Sequence, residues 1–186
     1  GNVNIIGYTA QGGHGMYLDG AITVTGAYDI ILSAYHADST SSMYAIWLGA
    51  GLTTGGRVTM QGANLLNGTP VADPGSAARA YDHAIFLGAG ANIDATGDIW
   101  MFGRSAVASG VRINTGGSVI TLRSRSGNIS INGEATGGGN WGLDDSFGAI
   151  LADVGNITLR GVGGHGLYVA QTVTALNNAL TPTGGG

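Results

Sequence analysis

The chain has 186 residues, a formal net charge of −4, no cysteine, 36 glycines and 44% hydrophobic residues. That hydrophobic share excludes a disordered low-complexity chain, the scattered arginines give no basic footprint for nucleic acid, and the missing thiols exclude a disulfide framework. No apolar run approaches the roughly 20 residues of a spanning helix, so membrane insertion is not expected. All seven basic residues are Arg and ten of the eleven acids are Asp, so the Lys- and Glu-rich faces of long helices are absent.

Six units follow one another along the chain. The first opens with Gly1-Asn2-Val3-Asn4-Ile5 and continues through Gly15-Met16-Tyr17-Leu18 and Ile22-Thr23-Val24. The second reads Gly26-Ala27-Tyr28-Asp29-Ile30, Ala45-Ile46-Trp47-Leu48 and Leu52-Thr53-Thr54. The third reads Gly56-Arg57-Val58-Thr59-Met60, Ala84-Ile85-Phe86-Leu87 and Asn92-Ile93-Asp94. The fourth reads Gly97-Asp98-Ile99-Trp100-Met101, Gly110-Val111-Arg112-Ile113 and Val119-Ile120-Thr121-Leu122. In the fifth, Gly127-Asn128-Ile129-Ser130-Ile131 is followed by Gly148-Ala149-Ile150-Leu151, with the third piece compressed to Asp153-Val154. The sixth reads Gly155-Asn156-Ile157-Thr158-Leu159, Gly166-Leu167-Tyr168-Val169 and Val173-Thr174-Ala175.

Alternation of apolar and polar residues is the strand period of two. A phrase recurring every 20–50 residues or so marks a solenoid, whose repeats bury their apolar faces only against one another. Three short strands per unit, with corner glycines free to take positive φ, predict an all-β parallel β-helix. It comprises about six three-stranded rungs in a single segment over 1–186, with the longer loops leaving from one corner. The inward columns are read as Val3/Tyr28/Val58/Ile99/Ile129/Ile157 and Ile5/Ile30/Met60/Met101/Ile131/Leu159 on one face. The second face contributes Met16/Ile46/Ile85/Val111/Ala149/Leu167 and Leu18/Leu48/Leu87/Ile113/Leu151/Val169.

The outward position of the second strand then reads Tyr17, Trp47, Phe86, Arg112, Ile150, Tyr168. Such a column is either a platform for a sugar ring or a partner surface, or a set of cross-strand pairs that stabilises the sheet. Three segments between first and second strands are read as loops at the same corner: Ala34 to Met43, Ala63 to Asp82 with Tyr81, and Glu134 to Ser146 with Trp141, Asp144 and Asp145. Loops on a rigid scaffold favour binding residues. The adjacent Asp144 and Asp145 point to opposite faces of a strand, which argues against a paired-carboxylate catalyst. No enzyme activity and no cofactor are expected. His14, His83 and His165 share one place in units one, three and six, roughly 10 Å apart by rung spacing, too far for one metal, and are read as corner residues. His36 is read as a loop residue.

Both ends of such a rod expose strand edges that invite pairing. The first and last units are the most alike, Gly12-Gly13-His14-Gly15-Met16-Tyr17-Leu18 returning as Gly163-Gly164-His165-Gly166-Leu167-Tyr168-Val169. Their separation, Gly1 to Gly155, fits a repeat of about 154 residues in a longer tandem array. The chain is therefore expected to have itself as a partner, through covalent repetition or end-to-end stacking.

The strand Gly155-Asn156-Ile157-Thr158-Leu159-Arg160-Gly161, echoed at Gly1 and Gly127, resembles the central repeats of the filamentous haemagglutinin family of two-partner-secretion exoproteins. The linking Gly163 to Val169 and Ala21 to Gly26 pieces fit the same pattern. The resemblance implies a right-handed β-helix in a secreted or surface-held protein of a Gram-negative bacterium, acting as an adhesin, stalk or fibre. Partners would be host or neighbouring-cell glycans or proteins. A filament subunit that stacks end to end is the alternative, and a polysaccharide-acting β-helix enzyme a more distant one.

Overall fold

The computed structural model describes residues 1–9, 13–36, 43–64, 83–114, 116–137, 139–176 and 180–185, with backbone alone for 64 and 180–185. These residues form an all-β solenoid of parallel strands without a helix. The first turn is β1 (Val3–Thr9), β2 (Met16–Leu18) and β3 (Ile22–Val24); the second is β4 (Ile30–His36), β5 (Ile46–Leu48) and β6 (Leu52–Thr54). The third is β7 (Val58–Asn64), β8 (Ile85–Leu87) and β9 (Ile93–Ala95); the fourth is β10 (Ile99–Ser105), β11 (Val111–Ile113) and β12 (Ile120–Ser124). The fifth is β13 (Ile129–Ala135), β14 (Trp141–Asp145) and β15 (Gly148–Ala152); the sixth is β16 (Ile157–Val162), β17 (Gly166–Val169) and β18 (Val173–Ala175). A further strand, β19 (Leu180–Gly185), pairs with β16.

First, second and third strands stack separately into three sheets, A, B and C, of seven, six and six strands. Parallel stacking follows from the alternation itself. Each strand sends every second side chain inward, and identical register in successive turns places like on like. The core is one column system closed by all three sheets, including Ile30, Val58 and Ile99 from sheet A, Ile46, Ile85 and Val111 from sheet B, and Leu52, Ile93 and Leu122 from sheet C, all essentially inaccessible.

The structure departs from the sequence-based assignments in four places. Val3 pairs with Ile30, and Ile30 with Val58, so Ile30 and Leu32 fill the places assigned to Tyr28 and Ile30. Tyr28 lies before the strand and is exposed. Apolar spacing two residues upstream mimicked the true start. In the fifth turn the second strand is β14, not Gly148 to Leu151, because Arg112 pairs with Asp144 and Thr121 with Ala149. Gly148 to Ala152 is the third strand, so Ile150 is a core residue of sheet C and Ala149 and Leu151 face outward. The segment from Glu134 to Ser146 is consequently mostly strand: it holds the end of β13 and all of β14. Ala34 and His36 likewise belong to β4, where His36 is buried, whereas residues 37–42 and 65–82 lie outside the described residues.

Two local devices hold turn upon turn. In four turns the residue just before the sheet A strand carries an acceptor for the backbone of the next turn. Asn2 Oδ1 accepts from the Asp29 N–H at 3.0 Å, and Asp29 Oδ1 from the Arg57 N–H at 2.9 Å. Asp98 Oδ1 accepts from the Asn128 N–H at 2.7 Å, and Asn128 Oδ1 from the Asn156 N–H at 2.9 Å. The second device is steric. A glycine within β1, β7, β10, β13 and β16 faces a backbone carbonyl at or next to the start of the sheet B strand so closely that no Cβ fits. A Cβ on Gly103 would lie 2.1 Å from the Gly110 carbonyl oxygen, and one on Gly133 would lie 2.0 Å from that of Gly142. The opening glycines serve the same purpose more often than positive φ does. Of the six, only Gly26 has φ in the left-handed region, while a Cβ on Gly155 would meet the Gly127 carbonyl oxygen at 2.0 Å.

Gly133→Ala is expected to lower stability by about 1–3 kcal/mol, the usual scale of forced overpacking, because the obstacle is backbone and not a movable side chain. Gly20→Ala, where nothing lies within 4 Å, should leave the urea midpoint in place. Urea unfolding of both variants checks the contrast.

Candidate functional site

The outer face of sheet B is the surface on which the large side chains gather. Register brings Tyr17, Trp47, Phe86, Arg112, Asp144 and Tyr168 into one outward row. Asp144 thus takes the place assigned to Ile150. Tyr17 and Trp47 stack with centroids 4.2 Å apart and planes within 5°. Beside this row runs a second one that the sequence reading left as isolated corner histidines. His14 stacks on Tyr44 at 5.1 Å, and Tyr44 on His83 at 5.9 Å. Tyr44 also stacks on Phe86 at 4.8 Å, joining the rows.

Rings stacked face to face at rung spacing cover one another's faces and leave mainly edges to solvent. Trp47 is further packed over its own chain, since a Cβ on Gly49 would fall 2.1 Å from the indole. Within the row, Tyr17 and Trp47 form a cross-strand ring pair of the kind that stabilises a sheet. Only the terminal rings, Tyr17 at 54% and Tyr168 at 42% exposure, stand well out. Trp141, at the start of β14, tilts against Tyr168 at 5.2 Å and against His165 at 4.9 Å. Tyr81 lies outside the described residues.

In the middle the ladder changes from rings to charges. Arg112 Nε is 3.2 Å from Asp144 Oδ2, its strand neighbour, and Arg112 Nη1 is 3.0 Å from His83 Nε2. The Ser146 hydroxyl donates to Asp144 Oδ1 at 2.7 Å. His83 Nδ1 accepts from the Ser109 N–H at 3.1 Å, as His14 Nδ1 accepts from the Tyr44 N–H at 3.1 Å in the first two turns. The shared histidine place is therefore a capping position that satisfies a backbone donor of the following turn. Burial, and next the Arg112 cation, push the His83 imidazole down to about 3, so the ring is neutral.

Asp145 turns the other way. It occupies the core column between Ile113 and Val169 and is fully buried. Its Oδ1 accepts from the Gly148 N–H at 2.6 Å, closing the two-residue corner between β14 and β15. Oδ2 has no hydrogen-bond partner. Burial, supported by the neighbouring Asp144 charge and opposed by the Gly148 hydrogen bond, raises this carboxyl to about 7. The remaining acids do not converge on the pair: Asp153 takes a bidentate grip from Arg123, with Nη2 at 2.7 Å, and Asp98 caps Asn128. Among the described residues no three His, Asp or Glu side chains are grouped to hold a metal ion, and no helix is long and apolar enough to cross a membrane. Comparison of the chain with family models, curated proteins and solved structures finds no match.

Neither Tyr44 nor the contact between His83 and Arg112 was legible in the alternation, because Tyr44 and His83 lie just before their strands, where alternation places nothing. The sequence did contain a further signal on sheet A. Trp100 stands at the outward position of its strand, and with Phe102 and Arg104 it forms an outward series on β10.

Two outcomes follow. Trp47→Ala should lower stability by at least about 0.5–1.5 kcal/mol through the lost ring pair, read as a shift of the urea midpoint. For Asp145, the contribution of the protonated form is fully present below about pH 4 and is lost as pH rises through about 7. His83 runs oppositely: its contribution is present above about 6.5 and is lost as pH falls towards 3. Asp145→Asn keeps an acceptor for Gly148 and cannot ionise. Its stability relative to the parent should rise by roughly 2–4 kcal/mol between about pH 5 and pH 8, measured by urea unfolding across that range.

Proposed function

We propose that this chain is a structural and adhesive segment of a large secreted or surface-held bacterial protein. It forms a rigid rod whose outer faces make the contacts. The observation that carries the reading is the division of labour along most of the described strands. Inward positions are used up by the core, and outward positions display aromatic, amide and charged groups at a fixed rung spacing. Such a surface suits recognition of an extended partner better than enclosure of a small substrate. The likeness of the Gly155 to Gly161 strand to filamentous haemagglutinin repeats supports the extracellular, Gram-negative setting.

A second reading, a filament subunit stacking end to end, is favoured by one observation. Val3, Ile5, Leu18, Ile22 and Val24 in the first turn, and Leu167, Val169, Val173 and Ala175 in the last, pack on the core while only partly buried. Parallel strands continue with the same polarity across such a joint.

Binding of the labelled chain to bacterial and epithelial cell surfaces and to a glycan array tests the adhesive role. Saturable binding by a monodisperse rod is expected. Long unbranched fibres with no surface binding would replace this reading with the second one. Turnover of an arrayed glycan, abolished by Asp144→Asn, would replace it with an enzyme.

A further inference from the structure

We propose that the outer face of sheet A, across β7, β10, β13 and β16, binds an oligosaccharide bearing carboxylates, of the uronate class. This rests on the adhesive reading and assigns it a face and a ligand chemistry. Unlike the rings of sheet B, Trp100 has no aromatic neighbour across the strands: its register partners are Thr59 and Ser130. It is 38% exposed and lies beside Phe102, with centroids 6.2 Å apart and planes within 19°. An indole flanked by small hydroxyl residues leaves ring surface for the apolar face of a sugar.

The charges next to these rings are unbalanced. Arg160 Nη1 donates to Asn132 Oδ1 at 3.0 Å and to Glu134 Oε1 at 3.2 Å. Arg104 Nε stands 3.8 Å from Glu134 Oε2, within ion-pair range but beyond a hydrogen bond. Two guanidinium groups, with side chains 42% and 44% exposed, therefore share one carboxylate. No other outward position of these four strands is charged, so the face carries a surplus positive charge on a chain whose net charge is −4. A guanidinium fork matches a planar carboxylate bidentately. The amides of Asn132 and of Gln61, the register partners of Phe102 on either side, offer donors and acceptors to sugar hydroxyls. Aromatic surface, amides and an unneutralised guanidinium within a few rungs are together the recognition elements of an acidic sugar.

The test is calorimetric titration of oligogalacturonate, its methyl-esterified counterpart and a sulfated oligosaccharide against the parent chain, Trp100→Ala, Arg160→Gln and Tyr17→Ala. Thermal melts confirm that each variant is folded. The proposal expects oligogalacturonate to bind, esterification to weaken it tenfold or more, and Trp100→Ala and Arg160→Gln each to weaken it tenfold or more. Tyr17→Ala should leave it unchanged, and added salt should weaken it. Equal affinity for the methyl ester, tighter binding of the sulfated sugar, or retention of affinity in both sheet A variants overturns the proposal. If surface binding persists in Trp100→Ala and Arg160→Gln, the adhesive reading survives without this face. If the parent binds no surface and no glycan, both fall.

Discussion

The close approach where sheet A hands the chain to sheet B is the constraint on which the rest depends. In five of the seven sheet A strands with side chains or backbone described, a glycine of that strand lies against the backbone carbonyl that opens sheet B or its flank, at distances a Cβ would reduce to between 2.0 and 2.6 Å. In β4 the place is held by Ala34. A bulkier residue would open this corner, widen the cross-section and separate columns that otherwise touch. Because the corner is tight, the interior is narrow enough for single aliphatic side chains from three sheets to fill it at the density of a protein core.

A narrow core has a second consequence. With no room inside for a cleft, polar chemistry is pushed either into turn-to-turn bonding or onto the outer faces. The Asn and Asp ladder at the sheet C to sheet A corner is of the first kind, as are the histidine caps and the ion pairs between Arg123 and Asp153 and between Arg125 and Asp94. Asp145 carries a carboxyl that enters the core, and it does so where the corner to β15 has shrunk to two residues. Its carboxyl replaces the backbone hydrogen bonds that a longer corner would make. The outer faces carry the second kind of chemistry, and they differ from one another. Sheet B is spent on stacking its own rings, while sheet A leaves Trp100 and two partly neutralised arginines open.

Much of this was legible in the chain. Period-two alternation with a recurring glycine placed sixteen of the eighteen strands of the six turns at or within a residue or two of their positions. The fifth turn misled because Trp141-Gly142-Leu143-Asp144-Asp145 does not look like the second pieces of the other units, such as Ala45-Ile46-Trp47-Leu48: Asp145 stands in an apolar place. The neighbouring Gly148-Ala149-Ile150-Leu151, a small residue with apolar residues second and fourth, does look like them while belonging to another sheet. Tyr28 misled because apolar spacing gives phase and not origin. β19 was missed since Pro182 breaks the pattern, although an edge strand accepts proline. For the candidate site, five of the six members of the outward row were legible, while the choice between a platform and a set of cross-strand pairs stayed open. Whether rings stack or stand open depends on side-chain tilt and on neighbours such as Gly49, which no spacing reveals.

The central claim is that the glycine corner and the side-chain ladder fix a single register between turns. The most direct measurement is disulfide formation between pairs of introduced cysteines, clean because the chain contains none. Ser130 and Thr158 are outward register partners on β13 and β16. Ser130→Cys with Thr158→Cys should oxidise rapidly and nearly completely, since adjacent strands hold partners within disulfide reach. Ser130→Cys with Arg160→Cys, two residues out of register, should oxidise slowly and in low yield. Comparable yields from both pairs would mean that the turns slide past one another, and would contradict the account.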